Sequence, residues 1–250
     1  MKTKTLLSLP LILMVLGLTT HTEAVTHQTY DSKGIVGFNA GSGQQLPVDP
    51  NRPDPTFPVT PQNPDGSVPS PGGNSALTID FASSLDFGSH AISNQDQTYT
   101  AKAQAYVNAT NLTPNYVQVT DRRGTFSGWV LKVVELSQFT QVATGPQQYP
   151  VLTGAAISLS NHTPVSHTRQ AAPQAPTTAQ TLIPGVESQI ALATSGAGAG
   201  TWVIRWGDQI NLTSDGLSPD VTLFVPGATP KDAAAYQTTL KWILAELPTN

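Results

Sequence analysis

From about residue 75 to the end of the chain, apolar side chains recur at every second position, the spacing that a pleated strand with one buried face requires. Leu77, Ile79 and Phe81 fall on one side; so do Tyr99, Ala101, Ala103, Ala105 and Val107, then Val117 and Val119, then Trp129, Leu131 and Val133. The series continues through Ile157 and Leu159, Ile190 and Leu192, Trp202, Ile204 and Trp206, and Val221, Leu223 and Val225. Turn-forming residues separate these runs at short intervals. The pattern predicts an all-β fold, an antiparallel β-sandwich or barrel, in a single main domain over 75–250. The last segment fits two periods. Tyr236, Leu240, Ile243, Leu244 and Leu247 would share a helix face, whereas Tyr236, Thr238, Leu240, Trp242 and Leu244 would share a strand face. Periodicity alone leaves the two equal.

The residues ahead of this domain read differently. Lys2 and Lys4 precede an apolar run from Leu6 to Leu18, and Thr22-Glu23-Ala24 supplies small residues at the usual cleavage positions, so 1–24 is expected to be an export signal. That run is too short for a spanning helix, which needs roughly 20 residues, and no membrane span is expected after cleavage. Residues 25–45 form an N-terminal segment with one short strand candidate, Gly34 to Asn39. From Leu46 to Pro71, prolines recur nearly every third position, as at Pro47, Pro50, Pro53, Pro55, Pro58, Pro61 and Pro64. Proline donates no ladder hydrogen bond, so 46–74 is expected to stay out of a sheet interior and to serve as a polyproline II linker. Asn161 to Thr181 and Gly196 to Gly200 read as loops within the main domain.

Composition narrows the function classes. Only 11% of residues are charged and the net charge is −4, against about 25% charged in an ordinary domain. A protein that tracks nucleic-acid phosphates is thereby excluded. With no cysteine there is no disulfide framework, thiolate metal site or cysteine nucleophile. An exported chain without disulfides fits a Gram-positive bacterium, where the Asn-x-Thr sequences at Asn108, Asn111, Asn161 and Asn211 carry no glycosylation meaning.

No nucleophile elbow, phosphate loop, zinc helix or calcium loop is present, and no motif calls for a cofactor. His162 and His167 read as solvated loop residues. Asp80, Asp86 and Asp96 near one predicted hairpin, and Asp208, Asp215 and Asp220 near another, could supply the acid pair of a glycosidase, although carboxylates at strand ends more often accept from backbone amides in turns. Asp121-Arg122-Arg123-Gly124 reads as an ion-paired corner or as a site for a polar ligand. Trp202 and Trp206 share a face opposite Arg205 and form a candidate sugar platform.

Trp-x-Leu occurs twice, as Trp129-Val130-Leu131 and as Trp242-Ile243-Leu244. The first follows Val119-Thr120-Asp121-Arg122-Arg123-Gly124 and Gly128; the second sits in Tyr236-x-x-x-Leu240-x-Trp242-x-Leu244-x-x-x-Pro248. Together with Asp86-Phe87-Gly88, Leu152-Thr153-Gly154-Ala155 and Val225-Pro226-Gly227, these motifs resemble the WxL-domain cell-surface proteins of low-GC Gram-positive bacteria over about residues 75 to 250. The chain departs from the commonest second motif at Lys241 and Ile243. The resemblance implies a strand at Tyr236 to Leu244. It also implies a secreted, non-enzymatic protein held non-covalently on the cell wall, with peptidoglycan or other cell-envelope proteins as partners, within a surface complex. Leu247-Pro248-Thr249-Asn250 lacks the apolar helix and basic tail of a covalent wall anchor, in keeping with that retention. The alternative is a secreted carbohydrate-active enzyme, or an adhesin retained through a protein partner.

Candidate binding residues are therefore Gly128, Trp129, Leu131, Tyr236, Leu240, Trp242 and Leu244 of the motifs, with Arg122 and Arg123 beside them. A Trp followed two positions later by a Leu puts both on one strand face, and in a one-core domain that face points inward. Trp129 and Trp242 are accordingly expected to specify the fold, leaving the adhesive surface to loops around Arg122 and Arg123.

Overall fold

The computed structural model describes residues 27–142 and 147–248. The export signal over 1–24 and the final two residues lie outside them. The chain divides into Met1–Gly37 and Phe38–Asn250. In the first unit, residues 27–37 are exposed and have no regular secondary structure, and the strand expected at Gly34 to Asn39 does not form.

Among the described residues of the second unit, the regular structure is antiparallel strands with one short 3-10 turn at Gln209–Asn211. One sheet runs β2 (Leu77–Ala82), β5 (Tyr116–Asp121), β12 (Gly200–Trp206), β9 (His162–Val165). A second runs β10 (Gln180–Thr181), β8 (Ala156–Leu159), β13 (Leu217–Val225), β3 (Gln97–Lys102). The third runs β11 (Ser188–Ala193), β6 (Trp129–Glu135), β15 (Leu240–Glu246). Two ribbons complete it, β1 (Pro61–Gln62) with β4 (Ala105–Tyr106), and β7 (Thr140–Gln141) with β14 (Tyr236–Gln237). The arrangement is sandwich-like with no closed barrel. The ambiguous C-terminal segment is thus a strand, because β6 offers it a full ladder from Leu240 to Glu246.

The alternating residues of all three sheets meet in one core that contains Val117, Val119, Trp129, Leu131, Ile157, Leu159, Trp202, Ile204, Trp206, Val221 and Leu223. Two bulges break the simple period. In β2 the register shifts between Ile79 and Phe81, so Leu77 and Ile79 pack on that core while Phe81 turns to the opposite side. In β11 a shift between Gln189 and Ala191 buries Ile190, Ala191 and Ala193 and leaves Leu192 half-exposed. A bulge adds one residue on one strand, which reverses every face after it.

The outer side of the first sheet is buried as well. All six residues of β5 are buried. A second cluster of Val48, Phe81, Tyr106, Tyr116 and Val203 covers that side. It forms because the proline-rich segment packs down instead of extending as a free spacer. Val48 N–H donates to Gln118 Oε1 at 2.8 Å and Gln118 Nε2 donates to the Leu46 carbonyl at 3.1 Å. The Gln118 amide thereby stands in for a neighbouring strand. Val59 N–H donates to the Pro47 carbonyl at 2.8 Å, and Pro61–Gln62 pairs with Ala105–Tyr106. Pro61 lies in a two-stranded ribbon, where its missing donor costs little.

Residues 161–181 are not a plain loop either. They carry β9 and β10, and Gln174 exchanges both backbone hydrogen bonds with Leu192 at 2.8 Å. His162, expected in solvent, is only 9% exposed and stands edge-on to Trp206.

Beneath the packed-down segment lies the carboxyl of Asp80, 2% exposed. Its Oδ2 accepts from Gln118 Nε2 at 2.9 Å and from Thr120 Oγ1 at 2.5 Å. Burial nonetheless pushes its pKa from 3.8 up to about 6, opposed by those hydrogen bonds and the Arg122 charge. The folded state therefore holds this proton more tightly than the unfolded chain. The resulting stability is present in acid and is lost as pH rises from about 4 through about 6. Glu135, buried at the end of β6 with no hydrogen-bond partner for either carboxyl oxygen among the described residues, is raised to about 7 by burial and acts in the same direction. Asp80→Asn removes the Asp80 share. Urea denaturation at pH 4 and pH 7 is expected to show the variant gaining roughly 2 kcal/mol on the wild type between the two; a constant difference would contradict the assignment.

Candidate functional site

The two Trp-x-Leu sequences, remote along the chain, are neighbouring strands. In the β6–β15 ladder Trp129 faces Glu246, Leu131 faces Leu244, Val133 faces Trp242 and Glu135 faces Leu240. The two leucines are thus directly opposed, and both indoles project from the same face, four positions apart. Trp129 and Leu131 are fully buried, whereas Tyr236, Leu240, Trp242 and Leu244 are half-buried against the core.

An indole is mostly apolar surface with one N–H that needs an acceptor when buried. Trp129 Nε1–H finds it in the Gly198 carbonyl at 3.0 Å. Gly198 has φ +74°, and a β-carbon there would stand 2.7 Å from that same nitrogen. Gly128, at φ +87°, lies so close to the neighbouring strand that a β-carbon would come within 2.2 Å of the Ala193 carbonyl oxygen. The Gly-Trp pair and the Gly196–Gly200 turn are therefore two halves of one fit. The glycine alternation reads in the sequence only as a turn, since nothing local reveals which indole it receives.

The other aromatic residues extend this interior. The Trp242 ring lies 6.0 Å from that of Trp206 at an interplanar angle of 39°. Trp202, also buried, donates from Nε1 to the Ala199 carbonyl at 3.0 Å. Trp202 and Trp206 are 4% and 1% exposed, so they do not form the sugar platform considered from sequence. Burial also takes His162 down to about 4, which keeps its ring neutral near pH 7. Tyr236 acts at the rim: its hydroxyl donates to the Tyr149 carbonyl and accepts from Asp232 N–H, both at 2.8 Å.

Arg123 ties the two motifs to β5. Its guanidinium meets Asp121 at two points, Nε to Oδ1 at 2.9 Å and Nη2 to Oδ2 at 2.7 Å. Nη2 also donates to the Gly128 carbonyl at 2.9 Å, and Nη1 lies 3.2 Å from Glu246 Oε1. The Asp121 hydrogen bonds, chiefly, raise its pKa further above the ordinary guanidinium value. Arg122 holds the preceding segment: its guanidinium donates to the Gly43 carbonyl, its N–H donates to the Ala76 carbonyl, and its carbonyl accepts from Gly41 N–H. Asp121 and Arg123 thus form an ion-paired corner. Glu246 closes it and carried no sequence signal beyond its place before Pro248.

Two surface concavities accompany this framework. A groove of about 520 Å³ lies between β2 and β15, lined by Gly73, Leu77, Ile79, Arg123, Leu244 and Glu246. A cleft of about 640 Å³ is lined by residues that include His162, Thr163, Pro173, Asp208 and Asn211. Four of the aspartates singled out from sequence bind neighbouring groups: Asp86 pairs with Lys102, Asp96 accepts from Gly227 N–H, Asp208 pairs with Arg205, and Asp220 accepts from Ser160 and Asn161. Among the described residues, no group of three metal-ligating side chains could hold an ion.

A family model described as "WxL domain surface cell wall-binding" matches residues 25–248. No curated protein and no solved structure matches the chain.

The glycine fit sets the expected costs. Trp129→Ala is expected to lose about 3–5 kcal/mol of stability, by cavity formation and by the orphaned Gly198 carbonyl. Gly128→Ala is expected to lose at least about 2 kcal/mol through the Ala193 clash and the left-handed backbone. Both are measured by chemical denaturation; a cost below about 1 kcal/mol for either would contradict the packing described.

Proposed function

The chain belongs to the WxL family of surface cell wall-binding domains, and on that premise we propose that it is exported by an N-terminal signal and retained non-covalently on the peptidoglycan of a Gram-positive cell. Membership makes it a cell-surface, wall-binding protein. It is a binding module without catalysis, working within a surface complex with other envelope proteins. The observation that carries it is the family match over almost the whole described chain, joined to a geometry in which both family motifs lie in one sheet and share one interior. No helix among the described residues is long and apolar enough to cross a membrane.

In this account the motif tryptophans act through the fold and not as stacking platforms. Trp129 is fully enclosed and cannot meet a glycan without unfolding its surroundings. The contact surface then consists of exposed uncharged side chains, which in a chain with so few charges carry most of the polar surface.

Sedimentation with purified, protein-free sacculi tests this. The wild-type protein is expected to pellet with them, and Trp129→Phe, which keeps the apolar bulk but not the hydrogen bond, is expected to bind in proportion to its folded fraction measured by near-UV circular dichroism. Failure to pellet unless envelope proteins are restored would overturn direct wall binding, and lost binding with the fold intact would overturn the scaffold role of Trp129.

A further inference from the structure

A strand edge without a neighbour exposes a row of backbone donors and acceptors, and folded proteins seldom leave a long one open. β11 is covered by the backbone bonds to Gln174, and β2 is met by Gly73, whose N–H donates to the Ile79 carbonyl at 3.2 Å. β15 pairs with β6 along one side only. Among the described residues no backbone hydrogen bond reaches the other edge of its seven residues. Trp242, Ile243 and Leu244 on this strand are half-buried, and the groove beside Leu244 also exposes Leu77 and Ile79.

A second feature lacks a partner. Residues 27–40 have no regular secondary structure, yet Tyr30, Ile35, Val36 and Phe38 are 94%, 95%, 77% and 90% exposed. So much uncovered apolar surface on one short stretch marks an interaction segment. Lys33 to Asn39 matches β15 in length and carries three strand-forming residues, Ile35, Val36 and Phe38.

We infer that the 33–39 segment of one copy adds as an antiparallel strand to the open edge of β15 in a second copy. Charge and size select the register. Setting Lys33 opposite Glu246 joins opposite charges across the strands. That register sets Ile35 opposite Leu244, over the groove, and sets Gly37 opposite Trp242, where the absent side chain leaves room for the indole. On the outer face it sets Gly34, Val36 and Phe38 opposite Ala245, Ile243 and Lys241. Glu246 is 65% exposed at its side chain despite its contact with Arg123, so its carboxylate stays open to a second cation. Backbone bonds supply affinity and the alternate pockets supply register, as in other strand additions. Because donor and acceptor surfaces differ, the contact is head-to-tail and propagates from copy to copy. The inference stands independently of what the domain binds on the wall.

The absence of cysteine permits a clean test with full chains. Gly34→Cys and Ala245→Cys are made in separate proteins. Both positions are exposed, and a β-carbon at Gly34 meets nothing within 4 Å. Mixed and oxidised, the two are expected to form a 34–245 disulfide, identified by mass spectrometry of the linked peptides, several-fold above the yield of Gly34→Cys with Ile210→Cys, a site 89% exposed and off the edge. Adding Ile35→Asp to the Gly34→Cys protein is expected to bring the yield down to that background. A 34–245 yield no higher than the 34–210 yield, or one that Ile35→Asp leaves unchanged, would overturn the inference.

Discussion

A buried indole makes two demands at once, a close apolar wall and one acceptor for its N–H. In this protein Trp129 meets both through glycine. The Gly198 carbonyl takes the proton, and the missing β-carbons at Gly128 and Gly198 let the neighbouring backbones close on the ring. Enclosing a side chain of that size contributes about 4–6 kcal/mol, a large part of what holds a single domain folded. The turn before β12 and the start of β6 are therefore fixed to each other by one side chain, although they are distant in sequence.

The rest of the motif follows from this anchor. Once β6 is seated, β15 pairs with it over seven positions, Leu131 and Leu244 close the layer between the strands, and Trp242 reaches Trp206 of the opposing sheet. Arg123 then joins β5, β6 and β15 through Asp121, the Gly128 carbonyl and Glu246. Its side chain is only 9% exposed, so the ion pair with Asp121 is shielded from the screening that weakens surface pairs. The two Trp-x-Leu sequences of this chain thus form one seam of its sandwich.

Much of this was legible in the residues because strand alternation is local. The faces of β5, β6, β12 and β13 follow directly from positions such as Val117, Leu131, Ile204 and Leu223. The reading failed where a one-residue insertion or a distant partner decided the outcome. The bulges near Asp80 and Ile190 reverse a face without leaving a compositional mark. The proline-rich segment has the composition of a spacer, and its anchors are remote in sequence: the Gln118 amide, seventy residues away from Val48, and the Ala105–Tyr106 strand that pairs with Pro61–Gln62. His162 looked like a loop residue because its burial comes from Trp206, and the acceptor role of Gly198 depends on a tryptophan 69 positions earlier. The strands at Tyr236–Gln237 and Leu240–Glu246 could not be told from a helix by period, since the deciding facts are their ladders with β7 and β6.

Hydrogen exchange at the indole nitrogens tests the anchor most directly. With labelled tryptophan, the Trp129 Nε1 proton should exchange only as fast as the whole domain unfolds, because no smaller opening frees it from the Gly198 carbonyl. Exchange of that proton in native buffer at the rate of an exposed indole, while the sheet amides stay protected, would contradict the account.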